Sequence, residues 1–226
     1  SAAVYGNIEG ELNEKMCPMP INHYGNSKLV MENMTKEYFG KLNIIIARPF
    51  NYTGAGQDDN FLIPKIVGHF KDRASEIELG NLDTYREYNS IDFVVSCYHE
   101  LMSTEKSSLI INICSGNAIS IREVLEIMED LAGYSIEVKV NQKFVRKNEI
   151  KMLKGSNDKL FSLIKKYDGV NNIEAILKKM YLLPYCPMPN GSIFKTPILQ
   201  GGSILTYSRC NLFQRTGKKQ CRCSKY

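Results

Sequence analysis

Tyr24 and Lys28 stand four residues apart in "INHYGNSKLVMENM" (residues 21–34), where apolar residues begin to recur at helical spacing. Four residues make about one helical turn, so the two side chains share a face. A phenol beside a fixed ammonium releases its proton more readily than a phenol in water, which suits proton transfer near neutral pH. Spacing alone does not decide the matter: with 13 tyrosines and 21 lysines, chance supplies about one such pair. The bland alternative is a packing tyrosine beside a solvated lysine, and the surroundings must choose.

The elements that would position the pair follow from periodicity. "SAAVYG" reads as the end of a buried strand entering a loop, and residues 7–22, with Pro18 and Pro20, read as that loop. Leu29, Val30, Met34 and Tyr38 predict a helix from Tyr24 to about Phe39, stopped by Gly40. "LNIIIA" (42–47) predicts a strand covered on both faces, running into the loop "RPFNYTGAGQ". A helix is expected over 61–71, strand and loop over "EIELGNLDTYREYNSID", and a helix over 92–102. "LIINI" (109–113) is a second buried strand. Ser120 and Glu123 form a capping-box signature ahead of a helix ending near Gly133. "SIEVKV" is a short strand, and helices around 158–166 and 172–182 follow. Strands alternating with helices indicate an α/β fold with a largely parallel sheet.

Charge and cysteine divide the chain near 184. From Pro184 onward there are seven Lys or Arg and no Asp or Glu, so the net +5 leaves the first 183 residues at −2. That body is no nucleic-acid binder by composition. No apolar run approaches a membrane span, and the N-terminus lacks a signal-peptide layout, which makes the cytoplasm the expected compartment. Cys17, Cys97 and Cys114 read as buried small hydrophobes rather than disulfide partners. Cys186, Cys210, Cys221 and Cys223 lie in a basic tail (184–226) whose spacing is not a usual zinc pattern; it reads as disordered or foreign to the domain. No metal site is expected, and His23, His69 and His99 read as structural.

Chemistry in an α/β sheet belongs at the carboxyl ends of strands, where Ser1, "RPFN" and the Tyr24 helix converge. Ser1-x-x-Val4-Tyr5-Gly6, Tyr24-Gly25-x-Ser27-Lys28 and Arg48-Pro49-Phe50-Asn51, in that order, resemble the extended short-chain dehydrogenase/reductase family of sugar-nucleotide epimerases, dehydratases and reductases. The resemblance continues through "GAGQ", "GNLDTYREY", "IDFV" and "INICSG" to about residue 180. Within the family it is most similar to the GDP-4-keto-6-deoxy-mannose reductases.

The resemblance implies the C-terminal part of a Rossmann-type parallel sheet with a smaller substrate-binding α/β subdomain. It implies NAD or NADP as cofactor, a nucleotide-sugar substrate, and a homodimer in the complete enzyme. By the same resemblance Tyr24 is the general acid, Lys28 holds the nicotinamide ribose, and Ser1 polarises the reacting oxygen. Pro49 and Phe50 line the cofactor, Asn51 holds the substrate, Arg86 and Arg146 neutralise the diphosphate, and Glu149 accepts from the nucleoside ribose. Each keeps a plainer reading: Ser1 as a strand-end serine, Asn51 as a turn residue, and the arginines as surface ion-pair partners.

Two departures qualify the picture. Sugar-nucleotide 4,6-dehydratases carry an acidic pair directly after the Ser1 position; Ala2 and Ala3 cannot move a proton, so reduction or epimerisation is expected instead. No Gly-x-Gly-x-x-Gly turn occurs, so the expectation is a domain (1–183) without its dinucleotide-binding half, binding NAD(P) poorly and with little activity alone. The alternatives are a UDP-linked nucleotide-sugar 4-epimerase using the same triad, and a non-catalytic remnant serving as an interaction module.

Overall fold

The first residues turn rather than extend. Ser1 Oγ accepts a hydrogen bond from the Ala3 N–H at 3.3 Å and caps a short 3-10 helix, η1 (Ala2–Tyr5). The expected strand end is therefore a capped turn: a serine hydroxyl offers the amide two residues on a local partner that extended backbone does not. The proline-bearing stretch read as a loop holds one short strand, β1 (Gly10–Leu12). Asn22 then caps α1 (His23–Lys36), its Oδ1 accepting from the Gly25 N–H at 2.8 Å.

The computed structural model describes residues 1–145, 150–164, 167, 169 and 171–183, and one unit spans Ser1–Leu182. The basic segment 184–226 lies outside the described residues. After α1 come β2 (Ile45–Pro49), β3 (Tyr52–Thr53), α2 (Leu62–Lys71), β4 (Glu76–Leu79), β5 (Tyr85–Glu87), β6 (Asn89–Ser90) and α3 (Ile91–Met102). β7 (Leu109–Ile113), β8 (Ala118–Ser120), α4 (Ile121–Ala132), β9 (Glu137–Val140), β10 (Met152–Gly155), α5 (Asp158–Leu163) and α6 (Ile173–Leu182) follow. The capping box at Ser120 and Glu123 is formed, and Gly133 closes α4 in the left-handed region at φ 73°. No described helix is long and apolar enough to cross a membrane.

Among the described residues every strand pairing is parallel except β5 with β8. β1, β10, β5 and β8 form one sheet; β2 pairs with β7, β3 with β6 and β4 with β9. This is the expected α/β architecture. Three apolar clusters hold it. One joins α2, α4 and α6 to β4 through Phe70, Leu79, Met128 and Leu177. A second packs α3 and α5 on β7 through Phe93, Leu101, Ile111 and Leu160. The third gathers Val4, Tyr5, Leu12, Phe50 and Cys114. A buried aliphatic or aromatic side chain of this kind contributes about 1.5–3 kcal/mol.

The strand expected at 42–47 begins later, at Ile45, and runs through Arg48 to Pro49. Nor is it covered equally on both faces: Ile46 and Arg48 are buried, whereas Ile45, Ala47 and Pro49 are half-buried. The apolar run alone did not show that its polar end, Arg48, would be the most enclosed residue of the strand.

Candidate functional site

Period-two alternation puts Arg48 and Asn112, direct partners in the β2–β7 register, on one face of that strand pair. Both reach Tyr5. The Tyr5 hydroxyl donates to Asn112 Oδ1 at 2.7 Å, and the Arg48 guanidinium lies 4.8 Å from the Tyr5 ring centroid. Arg48 Nε donates to Glu32 Oε1 at 3.0 Å and Nη2 to Oε2 at 2.6 Å, with both residues fully enclosed. Glu32 belongs to α1, so a buried fork-to-carboxylate pair docks that helix on β2. Arg48 Nη1 is buried without a hydrogen-bond partner among the described residues.

One turn and two turns toward the N-terminus of the same helix are Lys28 and Tyr24. The Lys28 ammonium lies 5.3 Å from the Tyr24 ring centroid, so the shared helical face is realised as a cation over the ring. Tyr24 is 57% exposed, which leaves its phenol open to a ligand. Between Tyr24 and the Ser1 turn stands Gly25. It is buried, and a Cβ there would sit 2.6 Å from the Ala3 carbonyl oxygen and 2.9 Å from Pro20 Cβ. The helix start and the Ser1 turn are in backbone contact because this residue has no side chain. The Ser1 amine donates to Ala47 O at 3.3 Å. Ser1, Tyr24 and Lys28 therefore share one neighbourhood at the β2 edge.

The "RPFN" residues leave β2 beside them. Phe50 is 2% exposed and packs on Tyr5, ring centroids 6.3 Å apart, so its side chain belongs to the core. Expected as a cofactor contact, Phe50 has only its backbone to offer a ligand, and its N–H already donates to Ile113 O. Pro49 is half-buried and the Asn51 side chain is exposed. Arg86 lies on a different strand, β5, with its guanidinium donating to the carbonyls of Tyr85 and Ile150 at 2.8 and 2.9 Å. It stands against the segment preceding β10. Arg146 and Glu149, expected beside it, lie outside the described residues.

The residue types most enclosed near these positions are ones the sequence did not single out. Glu87 Oε1 accepts from the Gly155 N–H at 2.5 Å, and Oε2 from the Ser115 and Gly116 N–H groups and from Asn89 Nδ2. Burial pushes its carboxyl above the ordinary value, against those hydrogen bonds. The available signal was its place directly after Arg86 in "TYRE", in a strand too short to show a pattern. A cavity of about 700 Å³ along the β7 edge, lined by Glu14, Lys15, Ser108, Asp158 and Lys159, includes none of the candidate site residues.

Residues 1–179 match the family model described as GDP-mannose 4,6 dehydratase. The chain belongs to that family. It is 35% identical over 182 residues to a GDP-6-deoxy-D-talose 4-dehydrogenase of Aggregatibacter actinomycetemcomitans, covering 80% of this chain and 62% of that protein. It is 30% identical over 170 residues to the GDP-6-deoxy-D-mannose reductase of Pseudomonas aeruginosa, covering 71% of this chain and 56% of the relative. Among solved structures, a candidate epimerase from Burkholderia cenocepacia superposes with a TM-score of 0.78 at 42% identity, over 80% of this chain and 60% of that one. The structure of RMD from Pseudomonas aeruginosa, complexed with NADPH, gives 0.73 at 28% identity, over 80% and 63%.

The chain thus spans about three-fifths of the length of the relatives it matches. Family members of this kind are sugar-nucleotide enzymes of the short-chain dehydrogenase/reductase type, and their α/β fold is the one found here. The family model is named for dehydration, yet η1 carries Ala2 and Ala3 directly after Ser1.

Proposed function

We propose that this chain carries the proton-donor and substrate-holding part of an NAD(P)-dependent reductase acting on a GDP-linked 4-keto-6-deoxy sugar. The observation that carries the reading is the exposed Tyr24 phenol with the Lys28 ammonium over its ring, held by Gly25 against the Ser1 turn. The two curated relatives, both acting on GDP-6-deoxy sugars, support the nucleotide and the sugar position.

When bound, the nicotinamide cofactor supplies the hydride that reduces the sugar carbonyl. Tyr24 Oη gives its proton to the carbonyl oxygen as that oxygen becomes an alkoxide, and regains one from solvent. The Lys28 ammonium offsets the negative charge left on the phenolate and holds the ribose beside it. The Ser1 hydroxyl donates to the reacting oxygen while its Oγ still accepts the capping bond from the Ala3 N–H. Asn51 orients the sugar, and Arg86 meets the diphosphate. Ala2 and Ala3 offer no group to take a proton from the neighbouring carbon, which favours reduction over water loss. The chain has no Gly-x-Gly-x-x-Gly turn, so its own contribution to cofactor affinity rests on Tyr24, Lys28 and the Pro49–Phe50 backbone, and is weak.

The test is scanning fluorimetry of the chain with GDP, UDP and NADPH, followed by turnover of the 4-keto sugar nucleotide at high NADPH. A transition raised by GDP and not by UDP, with slow net NADPH oxidation that Tyr24→Phe lowers about a hundredfold or more, supports the reading. Equal rates for Tyr24→Phe and the parent chain overturn the proton-donor role. Interconversion of the two 4-hydroxy epimers of a nucleotide sugar in the presence of NAD+, without net cofactor consumption, points instead to a 4-epimerase, which shares the triad but re-reduces its own 4-keto intermediate.

A further inference from the structure

Asn51 lies between β2 and β3 and Arg86 on β5, and the link between them is a buried amide. The Asn51 carbonyl accepts from both the backbone N–H and the Nδ2 of Asn89, at 2.9 and 3.2 Å. The same Nδ2 donates to Glu87 Oε2 at 3.2 Å, and Asn171 Nδ2 donates to Asn89 Oδ1 at 3.2 Å. Glu87 follows Arg86 directly in β5 and is pinned by the N–H groups of Gly155, Ser115 and Gly116. Asn89 and Glu87 are each 1% exposed, so water cannot stand in for a lost partner.

The residue types follow from donor arithmetic. The Asn51 carbonyl and the Glu87 carboxylate are both acceptors and must be bridged by a group with two donors on one atom and no charge. A carboxamide nitrogen meets that need; a carboxylate has no donor and a hydroxyl has one. The orientation of the Asn89 amide is fixed by the same logic, since its reversed form would set an oxygen against both acceptors.

We propose that Glu87 and Asn89 are positioning residues of the substrate site: the buried carboxylate, acting through the Asn89 amide, sets the backbone at Asn51 and thereby the place of its side chain relative to Arg86. This rests on the sugar-nucleotide reading above. Neither residue touches substrate. Glu87 anchors the strand that carries Arg86, and Asn89 carries that reference across to Asn51, in the connection between β2 and β3.

Calorimetric titration of the full 226-residue chain with GDP-mannose tests the inference. The variants are Asn89→Asp, Asn51→Ala and the two combined, with folding checked by circular dichroism at the titration temperature. Asn89→Asp is expected to weaken binding about tenfold, and Asn51→Ala to a similar degree. The double variant is expected to bind no more weakly than Asn51→Ala alone, because Asn89 acts through Asn51. Should Asn89→Asp fail to fold, Asn171→Ala removes the support of Asn89 from a less enclosed position, with an expected weakening of about threefold that also vanishes on the Asn51→Ala background. Losses that add in the double variant, or unchanged affinity in folded single variants, overturn the inference and leave the substrate-site reading standing. A parent chain that does not bind GDP-mannose overturns that reading, and this inference with it.

Discussion

Gly25 faces the Ala3 carbonyl so closely that a Cβ on it would lie 2.6 Å from the oxygen. The contact sets the first turn of the Tyr24 helix directly on the Ser1 turn, and it explains why glycine follows the tyrosine. Gly25→Ala is expected to force the two backbones apart at a cost of about 1–3 kcal/mol, read as a lower urea midpoint with an unchanged slope. Gly68, inside α2 with nothing within 4 Å of its would-be Cβ, is the control. There, alanine is expected to stabilise the chain by about 0.5–1 kcal/mol.

The buried Glu32–Arg48 pair holds α1 on β2. Glu32→Gln leaves a guanidinium enclosed without its counter-charge and is expected to cost about 3–5 kcal/mol in denaturant unfolding. The double variant Glu32→Leu/Arg48→Met removes both charges together and is expected to be markedly more stable than Glu32→Gln. A double variant as unstable as the single one would show that the pair is needed for more than mutual neutralisation.

Glu87 makes stability depend on pH in a definite direction. Burial raises its carboxyl above the ordinary 4.5, with the hydrogen bonds from Gly155, Asn89, Ser115 and Gly116 opposing. A group that holds its proton more tightly in the folded chain contributes most below its ordinary value and loses that contribution as pH rises through the raised one. The stability difference between the parent chain and Glu87→Gln should therefore shrink as pH rises from about 4 towards neutrality. A difference that grows over that interval would contradict the assignment.

Thiol reactivity separates the three described cysteines. Cys97 and Cys114 are buried as expected, whereas Cys17, expected to be buried with them, is exposed in the proline-bearing segment before α1. Burial pushes the Cys97 thiol up to about 12 and raises Cys114 further. Peptide mapping after brief iodoacetamide treatment should find Cys17 modified in the folded chain, and Cys97 and Cys114 modified after denaturation alone.

Several elements were legible because their signals are local. The Ser120–Glu123 capping box, Gly133 at the α4 end, and the apolar run of β7 each depend on residues within a few positions of one another. Tyr24 and Lys28 were legible for the same reason: helical pitch puts residues four apart on one face whatever surrounds them. The short strands β1, β3 and β10 were missed, since two to four residues show no periodicity and owe their extension to a partner strand.

The amino-acid order by itself thus determined the α/β alternation, the shared face of Tyr24 and Lys28, and the loss of proton-moving groups at Ala2 and Ala3, all consequences of residue type and nearest neighbours. What tertiary structure decided is which side chains are enclosed. Phe50 went to the core, Arg48 found Glu32 in the helix before it, and Glu87 met the amides of Ser115, Gly116 and Gly155 from distant segments. Burial and hydrogen-bond partnership across tens of residues depend on how strands and helices pack, and local sequence carries no measure of that.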